Sequence, residues 1–99
     1  MASYRIALGV GRLAVGVDPE TILPTAADAA RARVNVEASE VSVVRGEARV
    51  TVRYVADDDG QAVDVARRVR AVLSSCADVT SAALTRRYGA RWYRLALDR

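Results

Sequence analysis

The stretch from Val34 to Ala56 constrains this chain more than any other, because apolar and polar residues alternate on both sides of Arg45-Gly46. A period of two marks strands with one buried face, and a two-residue turn containing glycine joins such strands antiparallel. Closing the loop with Val44 and Glu47 sets Val43 opposite Ala48 and Val41 opposite Val50 on one face. The other face then pairs Ser42 with Arg49 and Glu40 with Thr51. Farther out, Val34, Val36 and Ala38 share the apolar face with Val52, Tyr54 and Ala56 only if one residue is inserted. The spacing predicts a bulge near Ser39, with Glu37 facing Arg53. One face of this hairpin needs a covering layer.

That layer is written on either side of it. Apolar residues at 62, 65, 66, 69, 72, 73 and 76 form a helical stripe over Gln61–Cys76, with Asp64 placed to pair with Arg67 and Arg68 on the solvent side. Asp57-Asp58-Asp59-Gly60 precedes it. Carboxylates there cap a helix and complement its dipole, whereas a calcium loop needs alternating ligands and a distal Glu where Arg68 stands. Upstream, Asp18-Pro19-Glu20 reads as a short turn at 19–23. A proline inside a helix costs about 3 kcal/mol, so Pro24 shifts the expected helix start to Thr25, with the helix running from Ala26 to Arg33.

The remaining segments read as strands. Tyr4, Ile6, Leu8 and Val10 alternate with Ser3, Arg5, Ala7 and Gly9, and Gly9, Gly11 and Gly16 allow a bent continuation toward Val17. Val79–Thr85 and Arg91–Leu97 are two more, separated by a turn or bulge at Tyr88-Gly89, with Tyr93, Leu95 and Leu97 entering the core and Trp92 and Arg94 pointing outward. The order strand, helix, strand, strand, helix, strand has the architecture of ferredoxin-like folds. The fold class expected is α+β: a βαββαβ two-layer sandwich over one domain, residues 1–99, with two helices on one face of an antiparallel sheet and an extra C-terminal strand.

Composition narrows the chemistry. The 99 residues include no histidine and one cysteine. The commonest general base, the Ser/His and Cys/His pairs and the usual zinc and haem ligands are therefore missing. Cys76, the last residue of the helical stripe, is expected to be buried rather than reactive. All 15 basic residues are arginine, and the pI near 9.6 permits a polyanionic partner without requiring one. Arg5 and Arg12 interrupt the apolar run from Ile6 to Val17, so neither a signal peptide nor a membrane span is expected, and the default location is cytoplasmic. Gly9-Val10-Gly11-Arg12-Leu13-Ala14 matches a dinucleotide-binding fingerprint, but no helix can run from Arg12 through Gly16 to Pro19, so no cofactor is expected.

The most distinctive segment is Arg86-Arg87-Tyr88-Gly89-Ala90-Arg91-Trp92-Tyr93-Arg94, part of a stretch, 84–99, with net charge +4. Combined with the hairpin register, it places Arg5, Arg49, Thr51 and Arg53 on the sheet face away from the helices. Trp92 and Arg94 join them if the terminal strand belongs to the same sheet. RNA-recognition domains of this topology carry stacking aromatics on the central strands, where this chain has Arg, Ala and Thr. The expected function is a non-enzymatic protein-interaction or self-assembly module, docking a protein partner or a second copy through Arg5, Arg49, Arg53, Arg91, Trp92 and Arg94. The alternatives are non-specific nucleic-acid binding through the same face and a histidine-independent enzyme with no assignable site.

Overall fold

A computed structural model of the chain describes residues 1–97. It is an α+β structure: one five-stranded antiparallel sheet and two helices. The strands are β1 (Ala2–Leu13), β2 (Asn35–Val44), β3 (Glu47–Ala56), β4 (Ala77–Tyr88) and β5 (Arg91–Leu95), and the helices are α1 (Ile22–Arg31) and α2 (Asp59–Ser74). They are arranged β2-β3-β1-β4-β5, so β1 is central and β2 and β5 are the edges. No helix among the described residues is long and apolar enough to cross a membrane.

The core lies between the helices and one face of the sheet. Tyr4, Ile6 and Leu8 of β1, Val50, Val52 and Tyr54 of β3 and Leu84 of β4 are fully or almost fully buried there. Ala26, Ala29 and Ala30 of α1 and Ala62, Val65, Ala66, Val69 and Leu73 of α2 complete the cluster. The alanines let two short helices sit close to the sheet. Fully burying each larger apolar side chain contributes about 1.5–3 kcal/mol. Tyr4 and Tyr54 bury phenols, and each finds an acceptor: Tyr54 donates to the Ala62 carbonyl at 2.7 Å and Tyr4 to Asp59 Oδ1 at 2.7 Å.

The hairpin turn has the predicted register. Val44 pairs with Glu47, Val43 with Ala48, Val41 with Val50 and Ser42 with Arg49. Arg45 (φ 55°) and Gly46 (φ 79°) both adopt the left-handed conformation that a tight turn matching strand twist requires. The bulge, however, falls two residues earlier than expected. Val36 pairs with Tyr54 and Ala38 with Arg53, so the inserted residue is Glu37. Ala38 is thereby moved to the helix-free face and Ser39, opposite Val52, takes the place expected for it. The Glu37–Arg53 contact survives as an ion pair of 3.2 Å.

Three further expectations are corrected. First, α1 begins at Ile22, after a 3-10 turn at Pro19–Thr21 capped by Asp18, whose carboxylate accepts from the Glu20 N–H at 2.9 Å. Pro24 therefore sits in the first helical turn, where its missing N–H would have had no intrahelical acceptor, and the penalty that motivated a later start does not arise. Second, Arg67 and Arg68 reach backbone carbonyls, Leu97 at 3.1 Å and Ala29 at 3.0 Å, rather than Asp64. Arg68 so ties α2 to the end of α1. Third, Tyr93 is 47% exposed: it lies on the helix-side face of an edge strand that the helices do not reach, while Leu97 is buried.

The glycine-rich run is strand, not a phosphate loop. β1 continues through it to Leu13, with register shifts against β4 after Gly9 and after Val10. Asp58 is the N-cap of α2 and accepts from the Gln61 N–H at 2.8 Å. Cys76 is half-buried against the core, just beyond the helix.

Candidate interaction surface

Alternation along the strands sends every second side chain to the face the helices leave bare. From β1 this face receives Ser3, Arg5, Ala7 and Gly9, and from β3 Glu47, Arg49, Thr51 and Arg53. From β4 it receives Ser81, Ala83, Thr85 and Arg87, and from β5 Trp92 and Arg94, which pair with Arg87 and Thr85. Because β5 joins the same sheet, Trp92 shares this face with the central strands. Arg91, one residue before it, falls on the opposite side and is exposed at the end of β5.

Arg5 and Arg53 are direct cross-strand partners. Like charges in that relation destabilise a sheet unless something relieves them. Two neighbours do so here. The Trp92 ring lies under both guanidinium groups, 4.0 Å from Arg5 Cζ and 5.3 Å from Arg53 Cζ, contacts of the cation–π kind. Glu37 accepts from Arg53 Nε, and from Ser3 Oγ at 2.8 Å. Farther along, Arg49 and Arg94 make no hydrogen bond or ion pair among the described residues.

Between these arginines the sheet carries small side chains. Ala7, Ala38 and Thr51 floor a shallow trough of about 320 Å³ rimmed by Arg5, Arg49, Arg53, Ser39 and Glu40. Glycine at position 9 lets Glu47 fold down over the central strand, where its carboxylate accepts from Thr80 Oγ1 at 2.8 Å. A Cβ on Gly9 would come within 2.6 Å of Glu47, Thr80 and Ser81 side-chain oxygens.

A second polar cluster, not anticipated from the sequence, lies on the helix side. Asp59 Oδ1 accepts from Tyr4 and, at 2.7 Å, from Arg86 Nη1. Arg86 also lies over the rings of Tyr88 at 4.6 Å and Tyr4 at 5.8 Å, and Tyr88 meets Tyr93 edge to face at 5.4 Å. Burial, then the bond to Asp59, pushes the Tyr4 phenol from 10.0 up to about 12. The hydrogen bonds from Tyr4 and Arg86 hold Asp59 below its ordinary 3.8. Neither group changes charge near neutral pH, so the cluster works as a pin between β1, β4 and the start of α2. Its signal in the sequence is weak, since positions 4, 59 and 86 meet only through the fold. No protein-family model matches this chain, and no curated protein matches its sequence.

Proposed function

We propose that this chain is a ferredoxin-like α+β domain with a fifth strand, acting in the cytoplasm as a non-enzymatic interaction module that docks an acidic, extended segment of a partner protein on its helix-free face. The strand neighbours 2-3-1-4 and the element order support the fold assignment. The docking reading rests on one observation: Arg5 and Arg53 oppose each other beside Arg49, around a trough floored by residues no larger than threonine. A carboxylate entering the trough adds to the compensation that Trp92 and Glu37 give this pair and meets, at Arg49, a guanidinium that makes no hydrogen bond or ion pair among the described residues and is suited to bidentate pairing.

Two features favour an acidic peptide over a nucleic acid. Arg5 and Arg53 lie against the Trp92 ring, leaving it poorly placed as a base-stacking platform. Glu37, Glu40 and Glu47 lie on or beside the same face, where they discriminate against a continuous phosphate backbone but leave room for spaced carboxylates. The test is calorimetric titration with a Glu/Asp-rich peptide, compared with single-stranded DNA of equal charge. The expected result is peptide binding that weakens with salt and falls about threefold to tenfold in Arg49→Ala. Peptide binding that is absent at low salt, or indifferent to Arg49→Ala, overturns the proposal; DNA bound in preference transfers the face to nucleic acid.

A further inference from the structure

The two edges of the sheet are unlike. β5 is five residues long and carries Arg91 and Arg94, features that discourage pairing with another strand. β2 is ten residues long, has no Arg, Lys or Pro, and beyond its bulge carries a single charge, Glu40. Its bulge at Glu37 interrupts only the far end, so Ser39–Val44 remains a regular free edge. On this segment Val41 is 51% and Val43 73% exposed. Both lie on the helix-side face, and Val41 adjoins an apolar groove of about 250 Å³ lined with Val10, Leu13, Pro19, Ile22 and Val50. Two exposed valines on the same face of a free edge segment, guarded by Glu40 alone, offer an apolar surface for a further strand.

We propose that β2 pairs antiparallel with β2 of a second copy of this chain, with Ser42 on the two-fold axis, joining two sheets into one of ten strands.

The backbone limits the register to those that match outward-pointing residues with outward-pointing ones, and of these the Ser42-centred one makes two valine–valine pairs where a Val41- or Val43-centred one makes a single pair. The turn closed by Val44 and Glu47 makes that pair hydrogen-bonded, so alternation makes Ser42 and Glu40 point their backbone groups toward β3. Val43, Val41 and Ser39 then present theirs to the free edge. With Ser42 on the axis, Val41 of each copy exchanges both hydrogen bonds with Val43 of the other, and Ser42 meets Ser42 as a non-hydrogen-bonded pair. The same register puts valine against valine on the helix side and extends the apolar groove across the junction. Glu40 lies opposite Val44 of the second copy, beside that copy's Arg45. Shifting the axis to Glu40 would set two carboxylates face to face, which is destabilising. Because the contact is isologous it closes at two copies, whereas β2 pairing with β5 would be heterologous and build rings or filaments.

The inference does not depend on the acidic-peptide reading, and its test uses different residues. Sedimentation velocity across micromolar to millimolar concentrations should show a monomer–dimer equilibrium. Val43→Lys, at a position exposed in the monomer, should weaken it by about tenfold or more, because each dimer loses two Val–Val pairs. In a Cys76→Ser background, Ser42→Cys should form a disulfide-linked dimer on mild oxidation, since only residue 42 meets its own copy at a distance suited to a disulfide. Glu40→Cys should not. A protein that stays monomeric throughout, or self-association unchanged by Val43→Lys, or equal cross-linking at positions 40 and 42, overturns the proposal.

Discussion

Arg5, Arg53 and Trp92 show how single side chains define this face: two opposed cations persist because an indole and Glu37 sit against them. The Tyr4–Asp59–Arg86 pin is the counterpart on the other side, and it makes stability depend on pH at both ends of the scale. Asp59 has a depressed pKa, so the stability it contributes is fully present above its ordinary value of 3.8 and is lost as pH falls through the lower, folded value. Tyr4 is shifted upward, so its contribution is present below 10.0 and is lost as pH rises from there toward about 12. Tyr4→Phe removes the donor and should cost about 1–2 kcal/mol at pH 7. Urea denaturation across pH should also show a shallower acid limb in this variant. Its alkaline limb should persist in part, because burial, the larger cause, still raises the Tyr54 phenol when the Tyr4 hydroxyl is gone.

At the scale of elements, α1 offers a sharp test of where a proline sits. The interior penalty of about 3 kcal/mol predicts a start at Thr25. With the helix beginning at Ile22, Pro24 occupies its first turn. Pro24→Ala should therefore leave stability unchanged or lower it by up to about 1 kcal/mol, through greater freedom of the unfolded chain. A gain of several kcal/mol in urea midpoint analysis would show that the proline strains the helix. The same elements show what a sequence discloses. The β2–β3 turn was legible because Arg45-Gly46 admits one tight geometry and fixes the register beyond it. The bulge falls elsewhere because Ala38 is a weak guide: moving the insertion to Glu37 gives up one methyl group on the apolar face, with Ser39 in its place opposite Val52, and keeps Glu37 beside Arg53 either way. The arginine face was legible from strand alternation once the strands were assigned. The trough floor was not, since Ala38 reaches it only through the bulge. The helix-side cluster was not either, because its members are far apart in the chain.

At the scale of the whole molecule, the open face and the β2 edge have a joint consequence. Ala38, Ser39 and Glu40 of β2 line the trough, so pairing two β2 strands puts two troughs on the same face of one continuous sheet, staggered along the strands about the two-fold axis. With strands about 4.8 Å apart, the two β3 strands lie about 14 Å from each other across the junction. With Ser42 on the axis the two Glu40–Thr51 levels are offset by four residues, about 14 Å along the strands, so the trough centres are about 20 Å apart. A peptide carrying two acidic clusters joined by a short flexible linker can span that distance, and its second contact becomes intramolecular. At concentrations where the chain is dimeric, such a peptide should bind at least about tenfold more tightly than one with a single cluster. Val43→Lys should abolish the difference and leave single-cluster affinity unchanged, because Val43 lies on the opposite face from the trough. Calorimetry with both peptides on both proteins separates the outcomes. Avidity that survives in a monomeric Val43→Lys variant would mean the two clusters bind within one copy, and the ten-stranded sheet would play no part in recognition.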